Sequence, residues 1–107
     1  MLEKISKEFY ELGKTFDEFL KEGTDDEAKR TQLYFSKMSK NFTPEEFRIN
    51  LEHPINLMLL ATTWCWDSQT NVPVIVHLAN QNQNINLKIF NKDKYPFLFF
   101  AGGGAEI

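Results

Sequence analysis

Along the first fifty residues, apolar side chains recur at helical spacing. Leu2, Ile5, Phe9, Leu12, Phe16 and Phe19 follow one another at steps of three and four between Lys and Glu residues, the period that places them on one stripe of a helix. The spacing predicts one continuous helix from Leu2 to Glu22, stopped at Gly23, a residue suited to a helix C-terminus. Thr24-Asp25-Asp26-Glu27 then opens a second helix running to about Lys40, because a Thr cap and a Glu three residues later satisfy free amide groups reciprocally. Thr43-Pro44-Glu45-Glu46 repeats the device, with Pro at the first helical position, where its missing amide hydrogen costs nothing. A short third helix is expected there, ending before His53-Pro54.

The pattern then changes. Ile55-Asn56-Leu57-Met58-Leu59-Leu60-Ala61 is an apolar run of strand length and reads as a strand buried on both faces. A helix-length segment follows from Asp67 to about Asn80, and Asn84 to Phe90 alternates apolar with polar as a half-buried strand does. Strand, helix, strand implies a parallel pair joined by a right-handed crossover. The Asn/Gln run from Asn80 to Asn84 serves as the polar link between helix and strand. Residues 1–53 therefore form an N-terminal helical extension and residues 54–107 a partial α/β core, packed as one domain. The ending, Tyr95 to Ala101 followed by three glycines, sets a bulky apolar stretch against a flexible turn and stops, so a C-terminally incomplete domain is expected.

Composition agrees with a globular chain. Hydrophobic content is 42% and charged content 25% over 107 residues, with ten Phe, far from the signature of disorder. Twelve basic against fifteen acidic residues give a net charge of -3, which leaves no bulk field to hold a polyanion, and no nucleic-acid partner is expected. No run approaches the roughly 18 apolar residues of a membrane span, and Met1-Leu2-Glu3-Lys4 is charged rather than a signal-peptide core. No membrane association and a cytoplasmic location are the expectation.

A single cysteine, Cys65, excludes an internal disulfide; the thiol is then free, metal-bound, reactive or simply buried. Neither His53 nor His77 has Cys or carboxylate neighbours at zinc-site spacing, so no metal is expected, and His77 lies three helical turns beyond Cys65, too far to be its base. Cys65 falls between a buried strand and the start of a helix, where unpaired amides and the helix dipole favour an anion and so suit a thiolate.

In Thr63-Trp64-Cys65-Trp66-Asp67-Ser68 with Pro73 eight residues after the Cys, the chain resembles the thioredoxin superfamily. The site of that superfamily is Trp-Cys-x-x-Cys at the end of a strand, opening a helix kinked by Pro. The similarity is strongest to bacterial thioredoxin-like proteins with a Trp-Cys-x-Asp-Cys or Trp-Cys-x-Asp-Ser site behind an N-terminal helical extension. The resemblance implies an α/β thioredoxin-like fold and monothiol exchange, with Cys65 as nucleophile and Ser68, at the resolving position, donating a hydrogen bond to its thiolate. Trp64 would shield the thiol and Pro73 would shape the helix. Trp66 is balanced between substrate contact and a core or surface role, and Asp67 reads more as a helix-start acid than as a catalytic group. Partners would be a protein disulfide or a low-molecular-weight thiol, with no cofactor. Two departures stand out: the strand before the motif, Leu57 to Thr62, has no acid where thioredoxins carry a buried Asp, and nothing downstream of Cys65 supplies their cis-proline loop. The missing second Cys and the missing buried acid both favour the alternative of a redox-silent module that binds a peptide or protein beside Trp64 and Trp66. The plainest reading keeps Cys65 as a small buried hydrophobe.

Overall fold

A computed structural model describes residues 6–96. Two strands, β1 (Ile55–Ala61) and β2 (Ile85–Asn91), pair in parallel from Ile55↔Ile85 to Ala61↔Asn91. The connection between them is α4 (Trp66–Asn80), as the strand, helix, strand order requires. Before β1 come three helices, α1 (Lys7–Tyr10), α2 (Phe16–Leu20) and α3 (Asp25–Asn41), and a 3-10 turn at Pro44–Phe47. The N-terminal layer is not a separate body. Phe19 and Leu20 of α2 share one buried cluster with Leu59 and Ala61 of β1, Val72 and Val76 of α4, and Ile89 of β2, while α3 packs along α4. Burying a side chain such as Phe19 is worth roughly 1.5–3 kcal/mol, so α2 is secured by this shared core rather than by its own five residues.

The expected continuous helix from Leu2 to Glu22 is broken. Of its apolar stripe, Leu2 and Ile5 lie outside the described residues, Phe9 falls in α1, Phe16 and Phe19 fall in α2, and Leu12 stands exposed in the turn between them, just before Gly13 and Lys14. Lys14 instead bonds β2 as an antiparallel bridge, its N–H donating to Ile89 O and its carbonyl accepting from Ile89 N, both at 2.8 Å. Gly13 is what permits the approach: a Cβ there would stand 2.5 Å from Lys88 Cβ and 2.6 Å from the Phe90 ring. The restart is capped by Thr15, whose side chain accepts from Glu18 N while Glu18 Oε1 accepts from Thr15 N. The Thr15 N–H donated to Oε1 is the foremost cause that holds the Glu18 carboxyl below its ordinary value. The hydrophobic period survives the break because α1 and α2 bury different partners. Phe9 stacks on Phe90 on one side of the sheet at 5.4 Å, and Phe19 enters the cluster of Ile89.

Two smaller expectations change. The third helix is a single 3-10 turn ending at Phe47, after which the chain runs without regular structure to Pro54. Strand β1 is not buried on both faces throughout, since Ile55 and Asn56 are exposed and burial deepens only toward Leu59 and Ala61. Helices α3 and α4 fall where the caps and spacing put them. The Asn/Gln run does more than link: buried Asn82 donates to Phe47 O and Leu78 O and accepts from Ile49 N, and Asn84 donates to Leu51 O. It thereby holds the irregular 47–51 segment, whose backbone groups would otherwise go unpaired.

Candidate functional site around Cys65

Strand β1 ends at Ala61, and within four residues the chain turns into α4. Thr62 and Thr63 are buried, Trp64 is exposed, and Cys65 is half-buried at the N-cap of α4, with its carbonyl accepting from Gln69 N at 2.9 Å. The Cys65 thiol is free, and as the N-cap residue it sits beside the first amides of a 15-residue helix, where the dipole favours negative charge. It lines a groove of about 700 Å³. The apolar floor comes from Leu59 and Leu60 of β1 and Val72 and Ile75 of α4, and Thr62, Ser68 and Asn71 supply the polar positions.

The two tryptophans flanking Cys65 have different surroundings. Trp64 lines the groove and donates its indole N–H to Asp93 Oδ2 at 2.7 Å. Asp93 is itself fixed, because its N–H donates to Asn91 Oδ1 at 2.9 Å and Asn91 Nδ2 reaches Glu22 Oε1 at 3.3 Å. Lys94 closes the network with a 3.0 Å ion pair to Glu22 Oε2. Trp66 turns away from the groove lining and meets Tyr34 of α3 edge to face at 6.0 Å, while remaining 67% exposed.

Ser68 is brought to the same groove as Cys65, and its Oγ accepts the Thr62 N–H at 3.1 Å. A hydroxyl that accepts still has its own hydrogen to donate. Asp67 lies exposed in the first turn of α4, where an acid suits the helix N-terminus, and also lines the groove. Pro73 is buried inside α4; its missing N–H leaves the Gln69 carbonyl without its helical donor. Thr62 Oγ1 is buried with no hydrogen-bond partner among the described residues. His77 is buried between the edges of Phe35 and Phe47, at 5.9 and 4.6 Å, and His53 is exposed. Among the described residues no group of three or more His, Cys, Asp or Glu is arranged to hold a metal ion. No helix among them is long and apolar enough to cross a membrane.

Asp93, Asn91, Glu22 and Gln69 shape the site and were not singled out by sequence. Asn91-Lys92-Asp93 directly after a strand is the spacing of an Asn side chain bonding the backbone two residues on. Gln69 falls with Val72 and Val76 on the helical spacing of the core face of α4, where a polar residue needs a partner. Glu22 carries no such signal.

A parallel β-α-β unit with a Cys at the helix start and a buried proline eight residues on defines a thioredoxin-like fold. The family described as Thioredoxin matches residues 13–101, and the chain belongs to that family. Among solved structures it resembles a protein of unknown function from Pseudomonas aeruginosa, with a TM-score of 0.76 and 22% identity over 97% of this chain and 66% of that one. It also resembles an HIV epitope scaffold, with a TM-score of 0.77 and 22% identity over 94% of this chain and 63% of that one. The chain thus spans just under two thirds of the length of either structure. None of the curated proteins matches it.

Proposed function

We propose that this chain is a bacterial, cytoplasmic thiol-disulfide oxidoreductase of the Trp-Cys-x-Asp-Ser type that works as a monothiol through Cys65. The observation that carries the reading is the half-buried Cys65 at the N-cap of α4, on the wall of an apolar groove whose mouth holds an anchored Trp64. In the first step the Cys65 thiolate attacks one sulfur of a substrate disulfide, forming a Cys65 mixed disulfide and releasing the other sulfur as a thiolate. In the second, an outside thiolate attacks the substrate sulfur of that mixed disulfide and regenerates Cys65, because Ser68 has no sulfur to do so. The Ser68 hydroxyl hydrogen serves the Cys65 sulfur when it carries charge, and the Trp64 indole limits water at the thiol. The substrate is a protein disulfide or the mixed disulfide of a low-molecular-weight thiol.

The test is turnover of a mixed disulfide with a small thiol by the wild type and by Cys65→Ser. A loss of turnover to the uncatalysed rate is expected; equal rates refute the reading. A redox-silent binding module is the second reading, favoured by the apolar residues that line the groove and by Ser68 standing where a second Cys would resolve a disulfide. Peptide binding that survives Cys65→Ser, with no turnover in the wild type, selects it.

A further inference from the structure

Gln69 is 4% exposed, yet both ends of its side-chain amide are in use. Nε2 donates to the Thr63 carbonyl at 2.9 Å, and Oε1 accepts from Arg30 Nε of α3 at 3.3 Å. Thr63 is two residues before Cys65, and its carbonyl belongs to the peptide that leads into Trp64. The same threonine is pressed from another side by the turn before α3: a Cβ on Gly23 would lie 2.6 Å from Thr63 Cβ and 2.7 Å from Oγ1. The loop that presents the thiol is therefore held by the N-terminal helical layer as well as by the β-α-β unit.

We propose that Arg30 and Gln69 are positioning residues for Cys65, with the relay from Arg30 Nε to Gln69 to Thr63 O fixing the loop that carries Trp64 and the thiol. The proposal deepens the monothiol reading and rests on it for its meaning in catalysis. The choice of glutamine follows from the two neighbours. A donor must face the Thr63 carbonyl and an acceptor must face the Arg30 guanidinium, and the side-chain amide of Gln69 presents one on each of its two terminal atoms. A carboxylate would keep Arg30 and set two acceptors against each other at Thr63 O. An apolar side chain would leave a buried carbonyl unpaired, which the loop relieves only by moving. Pro73 adds to the arrangement, since the Gln69 backbone carbonyl lacks its helical donor.

The test follows alkylation of Cys65 by iodoacetamide across pH, with the indole N–H resonance of Trp64, in Gln69→Glu, Arg30→Met and Arg30→Lys. One net hydrogen bond biases a loop equilibrium by about fivefold, so Gln69→Glu is expected to change the alkylation rate by about that factor and to shift the Trp64 resonance. Arg30 is exposed, so its variants remain folded even if the Gln69 variant does not. Arg30→Met is expected to move both readouts in the same direction as Gln69→Glu, and Arg30→Lys to return toward the wild type. A merely structural role lowers the thermal midpoint and leaves rate and resonance unchanged in the folded variants; that result overturns the proposal. Because alkylation reads the thiol without turnover, shifted alkylation in a protein that turns over no disulfide sustains the positioning and removes the monothiol reading.

Discussion

Replacing Gly13 by alanine separates a continuous N-terminal helix from the broken one by the sign of its effect. Inside an exposed helix from Leu2 to Glu22, Gly→Ala would stabilise the protein by about 1 kcal/mol, the difference in helix propensity. In the structure the added methyl meets Lys88 Cβ at 2.5 Å and Phe90 Cε1 and Cζ at 2.6 and 2.9 Å. Neither neighbour yields easily. Lys88 Cβ is bonded to the β2 backbone, which the Lys14 bridge ties at Ile89 with two bonds of 2.8 Å, and the Phe90 ring is buried and stacked on Phe9. Relief requires the 13–15 segment to lift from β2, at a cost within the usual overpacking range of about 1–3 kcal/mol. A loss near 2 kcal/mol lowers the thermal midpoint of a domain this size by roughly 8–16 °C, read by circular dichroism with the wild type alongside. A midpoint that rises would refute the Gly13–β2 contact and restore the single helix.

Three further outcomes follow from named contacts. The Glu18 carboxyl titrates below its ordinary value because it accepts the Thr15 N–H. Its charge therefore stabilises the fold above the unfolded value and ceases to do so as pH falls through the depressed one. The stability difference between wild type and Glu18→Gln should thus shrink on acidification; a difference constant from pH 7 to pH 2 contradicts the capping account. Asn82→Ala leaves Phe47 O and Ile49 N without their partner and should cost about 2–4 kcal/mol in chemical denaturation. A cost below about 0.5 kcal/mol, the level of an ordinary surface substitution, would show the clamp to be idle. Asp93→Ala frees the Trp64 indole and should increase iodide quenching of its fluorescence and speed Cys65 alkylation; no change in either removes Trp64 as a shield.

The grouping of the candidate residues was legible because it is local. Cys65, Ser68, Asp67 and Pro73 belong to one strand-turn-helix segment, and the caps at Thr24 and the β1 run place that segment without knowledge of tertiary contacts. Most of the failures are tertiary. Thr15-Phe16-Asp17-Glu18 is a capping box visible in the sequence, but the unbroken hydrophobic period masked it, since α1 and α2 keep helical spacing while burying different partners of β2. Pro44 and the cap at Thr43 start a helical turn, yet nothing propagates it beyond Phe47. Asp93 and Gln69 act through partners 29 and 39 residues away in sequence, which periodicity does not register.

The central claim is that Cys65 exchanges disulfides as a single thiol. Incubating the protein with a small symmetric disulfide and following its intact mass should show one adduct per chain, confined to Cys65. The adduct should form faster than on the urea-unfolded chain at the same pH and leave on addition of an outside thiol. A Cys65 that forms the adduct no faster folded than unfolded, or holds it against that thiol, would contradict the account.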